Sequence, residues 1–221
     1  MTGAREMTFL LAEPERRVLR AIAAKLPRAV RPNHLTALGV VGAVGAGVGY
    51  ALSSASVAWL WLASAMLAVN WFGDSLDGTL ARVRKAERPR YGYYLDHVVD
   101  AVNTTMVGLG LGFSPYVRLE FALILVIAFL TLAINVYLET AVFGKFRISY
   151  AGLGPTEGRL ILIVGNTLLF FATGHLGWLE SWVQVTANAV VVFLSLGMFT
   201  VLLIRFGKNL RHLAKLEPKK V

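Results

Sequence analysis

Six apolar segments, each close to the length that a helix needs to cross a bilayer, constrain this chain more than any other feature of its sequence. A hydrocarbon core of roughly 30 Å takes about 20 apolar residues per helix. Only 16% of the 221 residues are charged, against roughly a quarter in a soluble domain, so the excess apolar surface is expected to face lipid. The predicted spans are Leu35–Ser54, Val57–Ala81, Tyr93–Phe113, Tyr116–Phe143, Gly158–Gly174 and Val183–Arg205.

The lysines and arginines lie almost entirely in alternate connections between these segments. Of the 22, all but Arg118 fall in the N-terminal segment, the second and fourth connections and the C-terminal tail. Basic residues are retained on the cytoplasmic side of a membrane. The pattern predicts an all-α, six-span protein of a bacterial or archaeal inner membrane or of an intracellular membrane, with both termini cytoplasmic. The net charge of +9 is then a topology signal, and no nucleic-acid partner is expected.

The residues before the first span predict an amphipathic helix. Five apolar residues share one helical face: Val18, Leu19, Ile22, Ala23 and Leu26. Such a helix lies in the plane of the membrane surface and is attracted to anionic lipid; an ordinary helix on the soluble side is the alternative. The predicted organisation is an interfacial segment over residues 1–34, a membrane domain over 35–205 and a basic cytoplasmic tail over 206–221.

All four aspartates of the chain lie at the cytoplasmic ends of the second and third spans. Asp74 and Asp77 are three residues apart, and Asp96 and Asp100 are four apart, so each pair shares a helical face. The two spans are joined by a short basic connection over residues 82–92, which makes them antiparallel neighbours whose acidic faces can converge. The cytoplasmic membrane face is therefore the expected position of the active site.

A bound cation is one consequence of such a cluster. Four carboxylates at membrane depth repel one another and are costly to desolvate. The chain has no cysteine, and all-oxygen ligation favours a hard ion such as Mg²⁺ or Mn²⁺. The alternative is that the aspartates pair with Arg82, Arg84 or other loop cations and only stabilise the hairpin.

The residues around the aspartates resemble a known family signature. The chain reads DSLDGTLAR over residues 74–82 and, nine residues later, GYYLDHVVD over 92–100. This is similar to the pattern DxxDGxxAR…GxxxDxxxD of the CDP-alcohol phosphatidyltransferase family, and all eight fixed positions match. The resemblance implies six transmembrane helices, a homodimer, and transfer of a phosphoalcohol or phosphatidyl group from a CDP-linked donor to an acceptor alcohol. CMP is released, and one of the two substrates is a lipid.

The resemblance also implies roles for the matched residues. The four aspartates are expected to ligate one or two Mg²⁺ or Mn²⁺ ions, and Asp100 is also the expected general base that takes the proton of the acceptor hydroxyl. His97 is expected to be a packing residue. The residues expected to contact the CDP donor are Asn33, Thr36, Asp77, Gly78, Ala81, Arg82 and Gly92.

Three further fragments bear on the substrates. PNHLT (32–36) is similar to a PNxxT element near the nucleotide, and it is also an ordinary helix start. GPTEGR (154–159) is similar to a stretch of the choline and ethanolamine phosphotransferase branch that faces the acceptor pocket; a loop turn before a helix is the alternative. A polar pair in the fourth span is either pocket lining or an interhelical contact. The expected acceptor-site residues are Asn135, Glu139, Glu157 and Arg159.

The substrates and the function class stay open at this point. The chain length favours CDP-diacylglycerol plus a polar alcohol, whereas the GPTEGR stretch favours CDP-choline or CDP-ethanolamine plus diacylglycerol. A divalent-cation channel or carrier using the same aspartates is the rival from another class. The position of the acidic cluster at one membrane face, without paired interrupted helices, disfavours that rival.

Overall fold

The computed structural model describes residues 12–143, 155–175 and 180–217, and all regular secondary structure within these ranges is α-helical, without a strand. The all-α prediction is confirmed. Lys145, Arg147 and Gly154, together with the tail beyond residue 217, lie outside the described ranges. The helices are α1 (Ala12–Lys25), α2 (Pro32–Leu52), α3 (Trp59–Val83), α4 (Pro89–Gly112), α5 (Leu119–Phe143), α6 (Pro155–His175) and α7 (Glu180–Leu216).

Each predicted span corresponds to one helix, and the largest differences from the predicted bounds are at the start of α4 and the end of α7. Helix α4 begins at Pro89, earlier than predicted, because a proline is well tolerated in the first helical turn. The connection between α3 and α4 therefore shrinks to residues 84–88, where Lys85 adopts a positive φ of 53° and ends α3. Helix α7 runs on past Arg205 to Leu216, so the last predicted span and the start of the tail form one helix.

Three helices in the described ranges are long and apolar enough to cross a membrane: Pro32–Leu52, Leu119–Phe143 and Trp182–Leu216 within α7. Length and composition therefore support three of the six predicted spans within the described residues. The other three helices are also long, at 25, 24 and 21 residues. They carry the charged residues that make up the candidate site, and charge lowers their mean hydropathy.

Helix α2 is the centre of the packing, since it lies against both α3 and α4. Small residues make these contacts close. A Cβ on Gly42 would stand 2.7 Å from Cα of Asn70 in α3, and a Cβ on Gly47 would stand 2.6 Å from the carbonyl oxygen of Met106 in α4. Glycine at such positions allows two helix backbones to approach each other. The two acidic helices are therefore brought together mainly by their shared contact with α2.

Helix α1 packs its apolar face against protein. Leu19 and Ala23 are buried in a cluster with Leu35 of α2 and Leu76 and Leu80 of α3. Val18, on the edge of the predicted face, is exposed. The predicted helix is therefore present, with the middle of its apolar face on the ends of α2 and α3. Its position relative to a membrane surface stays a prediction.

Candidate active site

The first acidic pair lies near the end of α3 and is held by partners from two other helices. Oγ1 of Thr36, in the first turn of α2, donates a hydrogen bond of 2.5 Å to Oδ2 of Asp77. The backbone N–H of Gly78 donates to Oδ1 of the same carboxylate. Thr36 is one of the residues singled out in the PNHLT element, so this element and the first half of the signature are in direct contact.

Asp74 is held by a residue of α6. Nη2 of Arg159 donates to Oδ2 of Asp74 at 2.8 Å, and Nε of the same guanidinium donates to Oδ1 of Asn70 at 2.8 Å. Nδ2 of Asn70 in turn donates to the carbonyl oxygen of Gly39 in α2 at 2.8 Å. This chain of hydrogen bonds connects α6, α3 and α2 beside the acidic pair. It also gives Asp74 a positive counter-charge.

The second acidic pair forms a compact group near the start of α4. One carboxylate oxygen each from Asp96 and Asp100 and one ring nitrogen of His97 all lie within 4.8 Å of one another. Nδ1 of His97 is 3.4 Å from Oδ2 of Asp96. The imidazole also stacks on Tyr137 of α5, at 4.2 Å between ring centroids, and contacts Tyr93 at 4.1 Å. These ring contacts agree with the packing role expected for His97.

The two acidic pairs face a common region without forming one tight cluster. Asp74 and Asp96 both lie close enough to Asp77 for their charges to repel its carboxylate. Within the residues that the structure describes, however, Asp74 and Asp77 are not members of the 4.8 Å group. Because α2 lies against both acidic helices, its first turn, with Thr36, forms the third wall of this region.

Arg82 and Arg84 are the two loop arginines that the structural alternative names as partners of the aspartates. The guanidinium of Arg84 donates to the carbonyl oxygens of Pro27 at 2.8 Å and Leu26 at 3.1 Å, and also to Val30, so it ties the α1–α2 connection to the hairpin. Nη2 of Arg82 donates to Oγ1 of Thr79 at 3.1 Å. An arginine from outside this connection, Arg159 of α6, meets Asp74.

The remaining residues expected at the donor site lie along the same edge. Nδ2 of Asn33 donates to the hydroxyl of Tyr91 at 3.0 Å, which links the start of α2 to the start of α4. Ala81 is half-buried and Arg82 is exposed. A Cβ added at Gly92 would meet nothing within 4 Å, and one at Gly78 would make ordinary contacts with the Arg82 side chain. Packing of the described protein atoms therefore does not require glycine at either position.

Of the four residues expected at the acceptor site, Arg159 contacts an aspartate, and the pair in α5 contacts α7. Arg159 bonds Asp74, and Glu157, two residues earlier, is buried in the first turn of α6. Asn135 donates to Glu139 at 2.7 Å within α5. Glu139 accepts hydrogen bonds from Arg205 and Asn209 of α7, so this polar pair makes interhelical contacts.

Sequence reasoning missed several residues of this region. Asn70 shares the Arg159 guanidinium with Asp74, and its position one turn before Asp74 was a usable signal. Tyr91 and Tyr137 contact Asn33 and His97 from other helices. Their sequence neighbours gave no indication of these contacts, because each is formed only when separate helices pack.

A comparison with protein-family models covers the helices that carry this site. The model described as CDP-alcohol phosphatidyltransferase matches residues 29–199, which is most of the chain and includes every helix from α2 to α6. No curated relative matches the chain at a significant level. The match confirms the resemblance carried by the signature residues. The chain belongs to the CDP-alcohol phosphatidyltransferase family.

Proposed function

We propose that this chain transfers a phosphatidyl group from CDP-diacylglycerol to a polar alcohol and releases CMP. Family membership supports transfer of a phosphate-containing group from a CDP-alcohol. The observation that carries the proposal is the setting of Asp77. It is hydrogen-bonded to Thr36 of α2 and lies within electrostatic range of Asp96 on α4, so the two halves of the signature and the PNHLT element adjoin one region.

The donor set of this region suits a hard divalent cation. Asp96 and Asp100 offer carboxylate oxygens within 4.8 Å of each other, and two ligands of one Mg²⁺ ion at 2.0–2.1 Å stand at most about 4.2 Å apart. A small side-chain adjustment therefore suffices. We propose Asp74, Asp77, Asp96 and Asp100 as ligands of one or two Mg²⁺ or Mn²⁺ ions. Bound there, such an ion neutralises charge on the donor diphosphate.

Protein groups perform the remaining steps. We assign to Asp100 the role of general base, which takes the proton from the acceptor hydroxyl as its oxygen attacks the donor phosphorus. The P–O bond to CMP breaks as the new P–O bond forms. Arg82 is the cationic hydrogen-bond donor to the donor phosphates. The open space beside Gly92 accommodates the nucleotide close to backbone, and Gly78, beside the Arg82 side chain, lies with Asn33, Thr36 and Ala81 along the same edge.

The acceptor is proposed to enter from the α6 side. Arg159 and Glu157 begin that helix, and Arg159 already contacts the acidic pair. A guanidinium at this point also attracts anionic headgroups. Asn135 and Glu139 remain proposed acceptor-site residues, and their hydrogen bonds to α7 give them a structural role as well.

The proposed arrangement in the membrane follows from helix length and surface. Helices α3, α4 and α6 have 25, 24 and 21 residues, enough to cross about 30 Å at 1.5 Å per residue. Helix α6 also exposes an apolar stripe: Ile161, Val164, Leu168 and Phe171. We therefore propose that α2 to α7 all span the bilayer, with both termini and the site on the cytoplasmic side. We further propose that the protein is a homodimer.

One observation favours a second pair of substrates. The GPTEGR stretch resembles the choline and ethanolamine phosphotransferase branch, and its Arg159 contacts Asp74 directly. CDP-choline or CDP-ethanolamine plus diacylglycerol is therefore the alternative. Both reactions release CMP and use the same aspartates, so the substrates have to be separated by experiment.

The test is CMP release by the purified chain in detergent with Mg²⁺. CDP-diacylglycerol is supplied with glycerol phosphate, inositol, inositol phosphate or serine in turn, and CDP-choline or CDP-ethanolamine is supplied with diacylglycerol. The lipid product is identified by mass. We expect CMP release with CDP-diacylglycerol and one polar alcohol, and its loss when EDTA is added. Product from CDP-choline or CDP-ethanolamine selects the alternative, and metal-dependent cation flux without CMP release would indicate a carrier.

A further inference from the structure

Glu15 of α1 makes a hydrogen-bond cluster that joins three helices at one edge of the acidic region. Its Oε1 accepts from the indole N–H of Trp71 at 2.8 Å and from the hydroxyl of Ser75 at 3.1 Å, both on α3. The hydroxyl of Thr156, on α6, lies 3.0 Å from Oε1 and 3.2 Å from Oε2. These three donors are neutral groups, so the carboxylate connects α1 to both α3 and α6 by accepting hydrogen bonds.

The Glu15 cluster lies next to the contact between Arg159 of α6 and Asp74 of α3. One ridge of α3 carries Asn70 and Asp74, which Arg159 binds directly. The adjacent ridge, one residue further along, carries the two α3 partners of Glu15. Thr156 stands three residues before Arg159 and so shares its helical face. Helix α6 is therefore attached to two neighbouring ridges of α3, once by its own arginine and once through Glu15.

The attachment through Glu15 restricts the geometry of the attachment through Arg159. An arginine side chain has many rotamers, and its planar guanidinium meets two acceptors at once only from a narrow range of backbone positions. Functional groups must be held to within about 0.5 Å by the contacts around them. The Thr156–Glu15 contact restrains the first turn of α6 one turn before Arg159. It thereby limits the positions from which Arg159 reaches Asp74.

We propose that Glu15 is a positioning residue for the transfer reaction: it fixes the start of α6 against α3 so that Arg159 meets Asp74. The expected effects on kcat rest on the proposed function. It gives the N-terminal helix a part in catalysis that neither its amphipathic sequence nor the family signature indicates.

The test compares two glutamates of the same helix. Glu15→Ala removes the acceptor of the cluster, whereas Glu13→Ala removes an exposed carboxylate that pairs with Arg16 on α1 itself. In steady-state CMP release we expect Glu15→Ala to lower kcat about tenfold, since small misplacements near a reacting centre have effects of this order or more. KM for the CDP donor is expected to stay unchanged, because the hydrogen-bond partners of Glu15 are Trp71, Ser75 and Thr156, none of which is a proposed donor-binding residue. Glu15→Gln, which keeps an acceptor oxygen, restores most of kcat, and Glu13→Ala equals wild type.

A double-variant comparison separates positioning from general stability. In an Arg159→Ala background the group that Glu15 positions is gone, so adding Glu15→Ala is expected to lower kcat no further. If Glu15→Ala does not fold, Thr156→Val removes only the hydroxyl on α6, and the same pattern is expected of it. Wild-type kcat in a folded Glu15→Ala or Thr156→Val variant overturns the proposal. The proposal is also overturned if Glu15→Ala lowers kcat by the same factor in the Arg159→Ala background as in the wild type.

Amide hydrogen exchange provides a readout that does not depend on activity. We expect Glu15→Ala to raise exchange at residues 159–163, in the first hydrogen-bonded turn of α6, relative to Glu13→Ala. If the wild type releases no CMP from any CDP-linked donor, the proposed function fails, and this comparison still decides the positioning role. Equal exchange in the two variants overturns it.

Discussion

Arg159 on α6 donates a hydrogen bond to Asp74 on α3 at 2.8 Å, across 85 positions of sequence. The two side chains are only 13% and 18% exposed, so water screens their interaction weakly. The same guanidinium reaches Asn70, one turn earlier on α3. The relationship places the start of α6 in the site and gives Asp74 both a counter-charge and a fixed orientation.

Replacement of Arg159 is expected to impair transfer severely. Arg159→Ala leaves Asp74 without its cation, and we expect kcat/KM to fall about 100-fold, which corresponds to about 2.7 kcal/mol. Arg159→Lys keeps the charge but loses the fork that serves Asn70 and Asp74 together, so its loss is smaller, about tenfold. Rates of CMP release by the two variants provide the measurement. Equal rates for Lys and Ala would contradict the role of the forked geometry.

Asp100→Asn is expected to abolish transfer while the CDP donor still binds. The substitution removes the proposed proton acceptor, and general bases contribute about 10²–10⁴-fold to rate.

Asp74→Asn, by contrast, is expected to lose both activity and the response to added Mg²⁺. Donor affinity is measured by calorimetry and transfer by CMP release. Near wild-type CMP release by either variant would show that the assigned roles are wrong.

Thr36→Val is expected to weaken the apparent affinity for Mg²⁺ without unfolding the protein. The hydroxyl donates to Asp77 at 2.5 Å, and a hydrogen bond to a charged group is worth about 1.5–3 kcal/mol. We expect the Mg²⁺ concentration for half-maximal CMP release to rise about tenfold. Thr36→Ser retains the hydroxyl and serves as the control. An unchanged Mg²⁺ titration for the valine variant would exclude a role of this contact in orienting Asp77.

Gly42→Ala is expected to destabilise the α2–α3 contact. Its Cβ would stand 2.7 Å from Cα of Asn70 and 2.8 Å from the carbonyl oxygen of Met66, both backbone atoms that cannot rotate away. Overpacking of this kind costs about 1–3 kcal/mol. Gly165→Ala on α6, where a Cβ meets nothing within 4 Å, is the matched control and is expected to be neutral or slightly stabilising. Melting temperatures in detergent compare the two.

Glu139→Ala is expected to loosen α5 from α7. Glu139 accepts from Nε of Arg205 at 2.9 Å and from Asn209 at 2.6 Å, and losing it leaves the Arg205 guanidinium without that partner. A double-variant cycle with Arg205→Ala is expected to give a coupling free energy of about 1 kcal/mol in thermal unfolding. A coupling near zero, with a raised KM for the acceptor alcohol, would instead make acceptor binding the main role of Glu139.

The helices were predictable because their determinants are local. Long apolar runs and, for α2, the proline of the PNHLT element predict where helices form, and each predicted span has its helix. The ends were less predictable: α7 continues to Leu216 because nothing in the basic residues after Arg205 stops a helix. The signature aspartates were likewise readable, since spacings of three and four residues place each pair on one face.

The partners of those aspartates could not be read in the same way. Thr36 and Arg159 come from two different helices, and no periodicity within a helix specifies which neighbour it packs against. Helix α2 packs closely against both α3 and α4 through its glycines, and this packing brings the two acidic helices to the same region.

The sequence by itself determined the helical class, the acidic pairs and the family, because helix periodicity and residue spacing are properties of neighbouring residues. Only the tertiary structure decided that Arg159 meets Asp74 and that Glu15 ties α1 to α3 and α6. Contacts between side chains 56 to 141 positions apart depend on how whole helices pack, and that packing is settled by the combined fit of many surfaces.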